Sequence, residues 1–225
     1  MVQISDSVSI TFLLTTALTF FFFLKAARYS KIVFVVLLTW LLVQGTLAYI
    51  GFYQNHEVVP PRIFLTFIPT FLLIIGLFST RSGRDWIRKL NLKELTLLHL
   101  VRIPVELVLY ALFVDKAIPE LMTFAGRNFD ILAGLTAPLV YYFGFVKTKI
   151  SRKGILAWNI ICLLLLLNIV VNALLSAPLP IQQFAFDQPN LAILYFPITL
   201  LPAFVVPLVL FAHLIAITRL VNKPL

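Results

Sequence analysis

Residues 95–113 read LTLLHLVRIPVELVLYALF, an apolar run long enough to cross the roughly 30 Å hydrocarbon core of a bilayer as one helix. Its titratable residues are His99, Arg102, Glu106 and Tyr110, and at 100° per residue they fall on one side of that helix. Charges at this depth are costly unless they face protein or water. The run therefore predicts a membrane helix whose polar stripe faces a bundle of other helices.

The composition of the whole chain is that of a membrane protein. The chain has 225 residues, of which 61% are hydrophobic and 12% charged, and its mean hydropathy is +1.01. This composition excludes a soluble globular domain, and the high hydrophobicity excludes a disordered chain. Cys162 is the single cysteine, so a fold held by intrachain disulfides is excluded as well.

Seven apolar runs approach or exceed the roughly 20 residues that a membrane-crossing helix needs. They lie at about 7–25, 31–53, 62–79, 95–114, 129–146, 155–175 and 190–217. No cation precedes the first run and a basic segment follows it, so we expect a retained helix rather than a cleaved signal peptide. No connection is long enough for a soluble domain. The sequence therefore predicts an all-α fold, a polytopic bundle of seven transmembrane helices in a single domain over residues 1–225.

Lysine and arginine predict the orientation of these helices, because short loops rich in them stay on the cytoplasmic side. The chain has 18 lysine and arginine residues, and most of them lie at or after the ends of the first, third, fifth and seventh runs: Lys25, Arg28, Lys31, Arg81, Arg84, Arg88, Lys89, Lys93, Lys147, Lys149, Arg152, Lys153, Arg219 and Lys223. This pattern predicts an N-terminus outside and a C-terminus inside the cell. The same asymmetry accounts for the formal net charge of +9, so we expect the lipid bilayer and no nucleic acid as a partner.

Residues 82–94 have the pattern of a short amphipathic helix on the cytoplasmic side. Trp86, Ile87 and Leu90 share a face opposite several cations, and Ser82 and Asp85 could form a capping pair. The pattern favours a helix that rests on anionic headgroups, and a docking site for a protein partner is the alternative.

Two outer connections, residues 115–128 and 176–190, carry apolar side chains that include Ile118 and Phe186. Such residues usually fold back over the ends of helices. They would form either a lid over a cavity or ordinary packing on the rim of the bundle.

Prolines interrupt four of the predicted spans. Each lacks a backbone N–H and so frees the carbonyl four residues earlier, as at Leu100 before Pro104 and at Ala203 before Pro207. We expect bends at those levels.

Arg102 and Glu106 are four residues apart in the fourth span, a spacing that lets them pair with each other. The pair could be structural and fix the packing of helices, or it could line a path for a substrate or a proton. Because ionisable groups inside membranes usually serve function, we favour the second interpretation.

Polar residues of the neighbouring spans complete a candidate site. Asp130, Gly134, Ala137 and Tyr141 share one face of the fifth span, where small residues would let the fourth span approach closely. The predicted substrate-binding residues are Arg102, Glu106, Tyr110, Arg127, Asp130, Asn168 and Asn172. Alternatively, Asp130 caps its own helix and the asparagines bond helices together. The inner-half histidines, His99 and His213, are expected to be hydrogen-bonded packing residues rather than ligands.

Three activities of seven-helix proteins do not fit these residues. A retinal Schiff base needs a lysine in the last span, and every lysine lies in a loop or tail. A three-histidine zinc site is disfavoured because Ile217 stands four residues after His213, while His56 and His99 belong near opposite membrane faces. An intramembrane serine protease is disfavoured because no serine lies near mid-membrane. We expect no cofactor and no metal.

The segments RIPVELVLYALF (102–113), PELMTFAGRNFDILAGLTAP (119–138) and QQFAFDQPN (182–190) resemble a group of uncharacterised bacterial multi-spanning membrane proteins. The resemblance covers most of the chain. It implies a bacterial cytoplasmic membrane and supplies no activity and no functional residue.

The favoured hypothesis is a non-enzymatic membrane protein that binds or transports a small polar or amphipathic molecule through an outward-facing cavity, with Arg102 and Glu106 at its base. Two alternatives remain. One is an intramembrane lipid-modifying enzyme that uses Glu106 or Asp130, with or without His99, as acid or base. The other is an accessory subunit whose polar stripe contacts another membrane protein.

Overall fold

The computed structural model describes residues 4–55, 58 and 60–222, and His56 and Lys223 of the residues discussed above lie outside this part. The described chain is all-α. Its helices are α1 (Asp6–Ala26), α2 (Lys31–Tyr49), α3 (Phe64–Ser79), α4 (Arg81–Lys89), α5 (Leu92–Leu98), α6 (Arg102–Val114), α7 (Ile131–Val140), α8 (Arg152–Ser176) and α9 (Val206–Asn222). Short 3-10 turns lie at Phe52–Gln54, His99–Val101, Glu120–Met122 and Ala192–Leu194, and π-helical segments lie at Tyr141–Val146 and Leu201–Val205.

Within the described residues, five helical segments are long and apolar enough to cross a membrane, which indicates a membrane protein. They are Asp6–Ala26, Lys31–Tyr49, Leu92–Val114, Arg152–Ser176 and Leu201–Val221. A sixth is reached if α3 and α4, which meet at 95°, count as one bent span. The predicted run at 129–146 also forms an apolar helix, Ile131–Val146, but this helix is shorter than 18 residues.

Two predicted spans are shorter in the structure for local reasons. The second ends at Tyr49 rather than residue 53, because Gly51 adopts the left-handed conformation (φ 75°) that commonly ends a helix. The last begins its long helix at Leu201 rather than residue 190. A 3-10 turn and a cis peptide bond before Pro197 occupy the intervening chain.

The C-terminal helix lies at the centre of the bundle and α2 lies at its edge. The buried share is 72% for the segment Leu201–Val221 and 17% for α2. Helix α8 packs along α9, α5 and α3 also contact α9, and α1 packs on α5 and α6. The exposed side chains of α2 include Ile32 and Leu42, which suits contact with acyl chains.

The amphipathic helix expected on the basic side is α4, and its cap differs from the prediction. Thr80, not a Ser82–Asp85 pair, begins the helix, since the Thr80 side chain accepts a hydrogen bond from the N–H of Gly83 (3.2 Å). Ile87 is buried and Trp86 stacks on a ring of α9, while the basic residues of this helix are exposed.

One of the carbonyls freed by proline has a side-chain partner. The carbonyl oxygen of Ala203, four residues before Pro207, accepts a hydrogen bond from Nε1 of Trp40 (2.8 Å). The helix is π-helical at this level, and the helix that contains Pro138 also becomes π-helical at Tyr141. Irregular helix geometry therefore accompanies these two prolines.

The two outer connections fold back over the helix ends in part. Ile118 and Met122 of the first are buried, and the side-chain amide of Gln188 in the second donates to the carbonyl of Ile118 (2.6 Å). Phe186 stays 72% exposed. The connections are thus hydrogen-bonded to each other while some apolar side chains remain outside.

The face of α7 that carries small residues permits the close approach to the fourth span that the sequence predicts. A Cβ added to Gly134 would lie 2.8 Å from Cγ1 of Ile103, 3.1 Å from the backbone nitrogen of Ile103 and 3.3 Å from the carbonyl oxygen of His99. Glycine is therefore required here for packing.

Replacing Gly134 by alanine should lower the free energy of unfolding by about 1–3 kcal/mol, the usual cost of overpacking. Gly76→Ala is the matched control, because an added Cβ there meets nothing within 4 Å and the gain in helix propensity is the same. Unfolding of the purified proteins in mixed micelles measures the stability of both variants. Equal stabilities of the two variants would contradict the packing role of Gly134.

Candidate functional site

The structure brings Arg102 and Asp130 together as a buried ion pair. Arg102 begins α6 and Asp130 directly precedes α7. Nε of Arg102 donates to Oδ2 of Asp130 (2.5 Å) and Nη2 donates to Oδ1, so the pair is bidentate. The two residues are only 2% and 5% exposed. A guanidinium matches a carboxylate in this planar arrangement, which is the strongest geometry for such a pair.

The remaining guanidinium hydrogens reach two further helices. Nη1 of Arg102 lies 3.1 Å from Nε2 of His213 in α9, and Nη2 donates to the carbonyl oxygen of Cys162 in α8 (3.1 Å). Arginine can only donate, so Nε2 of His213 accepts and its Nδ1 carries the proton. That Nδ1 donates to Oδ1 of Asn159 (3.0 Å). One arginine thus connects α6, α7, α8 and α9.

The expectation that Arg102 pairs with Glu106 is wrong. Although the spacing allows that pair, the carboxylate of Asp130 approaches from the neighbouring helix and takes two guanidinium donors. Asp130 also makes no side-chain capping bond to its own helix. Its carboxylate is directed to Arg102 instead.

Glu106 has a different partner, Asn128, which sequence reasoning missed. Nδ2 of Asn128 donates to Oε1 of Glu106 (2.5 Å) and to the carbonyl oxygen of Met122 (3.0 Å), and its Oδ1 accepts from the N–H of Asp130 (3.0 Å). The last bond is the local turn that Asn makes with the residue two positions on. The signal in the sequence was an asparagine, Asn128, two residues before Asp130 at the start of a helix.

The second carboxylate oxygen of Glu106 has no partner. Among the described residues, no group makes a hydrogen bond to Oε2, although Glu106 is only 1% exposed. A buried carboxylate oxygen without a donor costs free energy. Glu106 is therefore a place in this cluster where a further polar group would be stabilising.

The two histidines lie in the same cluster. Their rings stack with centroids 3.9 Å apart, and the ring of His99 also meets Trp158 edge-on at 5.5 Å. The expected hydrogen bonding is confirmed for His213, but Nδ1 of His99 has no hydrogen-bond partner in the described chain. We call Arg102, Glu106, Asn128, Asp130, Asn159, His99 and His213 the buried polar cluster.

The other predicted site residues lie nearer the outer connections and outside this cluster. Tyr110 is 40% exposed and stacks on Phe124 (4.9 Å). The side-chain amide of Asn168 donates to the carbonyl oxygen of Arg127 (2.8 Å), and that of Asn172 donates to the carbonyl oxygen of Asn168 (2.9 Å). Asn168 therefore bonds α8 to the outer connection. In the residues described, no group of three His, Cys, Asp or Glu is placed to hold a metal ion.

An apolar cavity of about 100 Å³ lies beside the cluster. We call it the α3–α8 cavity, because side chains of these two helices form much of its wall. Other lining residues come from α6, the outer connections, the 3-10 turn Ala192–Leu194, the π-helical segment Leu201–Val205 and the start of α9: Leu109, Met122, Leu179, Ile193, Leu201, Pro202 and Val206. Every lining residue is apolar, so the cavity suits hydrocarbon rather than a polar group.

The family described as a domain of unknown function (DUF8737) matches residues 60–221, and the chain belongs to this family. The match includes every residue of the buried polar cluster. No curated protein and no solved structure matches the chain.

Replacing Asp130 by asparagine should lower the free energy of unfolding by about 3–5 kcal/mol, because it leaves the buried Arg102 charge uncompensated. Asp85→Asn is the control. It removes a carboxylate from the exposed ion pair with Arg88, which should cost less than about 1 kcal/mol. Unfolding in mixed micelles measures both. An Asp130→Asn protein as stable as the Asp85→Asn protein would contradict the assignment of the pair.

Proposed function

We propose that this member of the DUF8737 family binds or transports a small polar or amphipathic molecule across or within the membrane. In this proposal the chain is one domain of seven transmembrane helices in the bacterial cytoplasmic membrane, with the N-terminus outside and the C-terminus inside. The shorter helices α3 and Ile131–Val146 are the additional crossings. The distribution of lysine and arginine supports the orientation, and a short helix can cross where the bilayer thins around it.

One observation carries the proposed binding role: the free Oε2 of Glu106. Arg102 is neutralised by Asp130, so Glu106 is the acidic group of the cluster that has no cation paired with it. An ionised Glu106 needs a donor at Oε2, and a protonated one needs an acceptor for its proton. A ligand with a hydroxyl, amine or ammonium group supplies such a partner.

The rest of the cluster positions Glu106. Asn128 holds Oε1, and the bidentate pair of Arg102 with Asp130 fixes the backbone from which Asn128 projects. A carboxylate held in this way loses little side-chain entropy when a ligand binds. In this proposal Arg102 and Asp130 form the base of the site and do not change partners.

The predicted residues outside the cluster are assigned to the path from the outside. Tyr110 lies about one helical turn beyond Glu106 along α6, and Arg127, Asn168 and Asn172 lie near the outer connections. A polar molecule that approached Glu106 from that side would pass them.

A lipid-modifying enzyme is the second candidate function, and one observation favours it. Glu106 and His99 each have a buried polar atom that has no hydrogen-bond partner in residues 4–55, 58 and 60–222, and such atoms are available to exchange a proton with a substrate. Comparing the lipids of deletion and overexpression strains separates the two functions. A lipid class whose amount changes in opposite directions indicates the enzyme, and unchanged lipids favour binding or transport.

The third alternative, an accessory subunit, is not favoured by an observation of this kind. Arg102 and Glu106 are 2% and 1% exposed within this chain, so they offer no surface to another membrane protein.

The proposed topology predicts which single cysteines a membrane-impermeant maleimide labels in intact cells. In a Cys162→Ala background, Ser5→Cys should be labelled in intact cells, and Lys149→Cys should be labelled only after the membrane is permeabilised. The two positions flank α1 and α8 and lie on opposite sides in the proposed arrangement. Labelling of both, or only of Lys149→Cys, in intact cells would overturn the orientation.

The binding role predicts that Glu106→Gln weakens ligand binding roughly 10- to 100-fold, the worth of a hydrogen bond to a charged group. The measurement is the amount of small molecule that copurifies with the protein in nanodiscs, identified by mass spectrometry after extraction. Glu120→Gln is the control, because this carboxylate is exposed on the outer connection.

A Glu106→Gln protein that melts like the parent and retains the same copurified molecule would contradict this role. If the parent carries no such molecule, binding of octylamine and octanol is measured with the same two variants.

A further inference from the structure

Several side chains that line the α3–α8 cavity are partly exposed at the surface of the bundle. Phe67 and Phe71 of α3 and Val170 and Ala173 of α8 line it and are only partly buried. Helices α3 and α8 each pack on α9. In a membrane this surface faces acyl chains, so the cavity is accessible to hydrocarbon.

The same cavity shares a wall with the site of Glu106. Leu109, which lines the cavity, follows Glu106 by three residues in α6, about 4.5 Å along the helix. Met122 also lines the cavity, and its carbonyl oxygen accepts from the Asn128 amide that donates to Glu106. Glu106 and the cavity-lining Leu109 are therefore about one helical turn apart along α6.

We infer that the α3–α8 cavity binds the hydrocarbon chain of a single-chain amphiphile whose hydroxyl or amine group is held by Glu106. The inference rests on the proposed function and specifies its ligand class. A molecule with a polar group at Oε2 and a chain that extends along α6 satisfies both features at once.

The volume of the cavity and the depth of Glu106 in the membrane favour a single-chain amphiphile over a two-chain phospholipid. An apolar cavity of roughly 150 Å³ admits one benzene-sized molecule, so about 100 Å³ holds a short alkyl segment and not a whole ligand. Glu106 lies eight residues before the end of α6, about 12 Å along the helix. The headgroup of a two-chain phospholipid would have to leave the interface to reach it, at a large cost in hydration.

The test uses octylamine that carries a photoreactive diazirine on its chain, with the full chain in nanodiscs. Labelling that excess plain octylamine competes away should map to the cavity-lining residues of α3 and α8. Ala173→Phe fills the cavity and should reduce this labelling at least tenfold, with Ala173→Leu as a milder second variant. Val171→Phe is the matched control, because Val171 is on the same helix, is 52% exposed and does not line the cavity.

The variants separate the inference from the proposed function. Loss of competable labelling in both Glu106→Gln and Ala173→Phe supports both. Loss only in Glu106→Gln overturns the chain site and leaves the proposed function standing. Loss only in Ala173→Phe shows that the octylamine chain enters the cavity without contact to Glu106, and it overturns the inference together with the role of Glu106. No competable labelling, or equal loss in Val171→Phe, overturns the inference.

Discussion

The bidentate ion pair of Arg102 with Asp130 is the interaction on which the rest of the interior depends. A guanidinium and a carboxylate inside a membrane bundle must satisfy each other's hydrogen bonds, because neither lipid nor aliphatic side chains can. The other donors of Arg102 reach His213 in α9 and the carbonyl of Cys162 in α8. Four helices are thereby fixed around one buried cation.

This pair also determines what Glu106 can do. Because Arg102 is already neutralised by Asp130, Glu106 retains a carboxylate oxygen that none of the described residues satisfies. Asn128 holds the other oxygen and is itself held by the backbone at Asp130. In the proposed function, Glu106 is held at one carboxylate oxygen and accepts a ligand group at the other. A group that is held before the ligand arrives is preorganised for binding.

Departures from regular helix geometry place these side chains. The chain is 3-10 helical at His99–Val101, immediately before Arg102, in the helix that contains Pro104. Gly134 lets α7 approach that turn closely enough for Asp130 to meet the guanidinium. The apolar cavity lies one turn farther along α6, where the outer connections and the start of α9 leave a space between α3 and α8.

The sequence by itself determined the all-α class of the fold, and it named three of the seven residues of the buried polar cluster, Arg102, Glu106 and Asp130, as site residues. Hydrophobic runs, prolines and an 80° polar stripe are local properties, and they indicated buried helices, the free carbonyl of Ala203 and the close approach at Gly134. Only the tertiary structure decided the pairing. Spacing along one helix pointed Arg102 to Glu106, whereas the nearer carboxylate came from another helix. Which of several permitted partners a buried charge takes depends on distances between helices, and one helix carries no information about them.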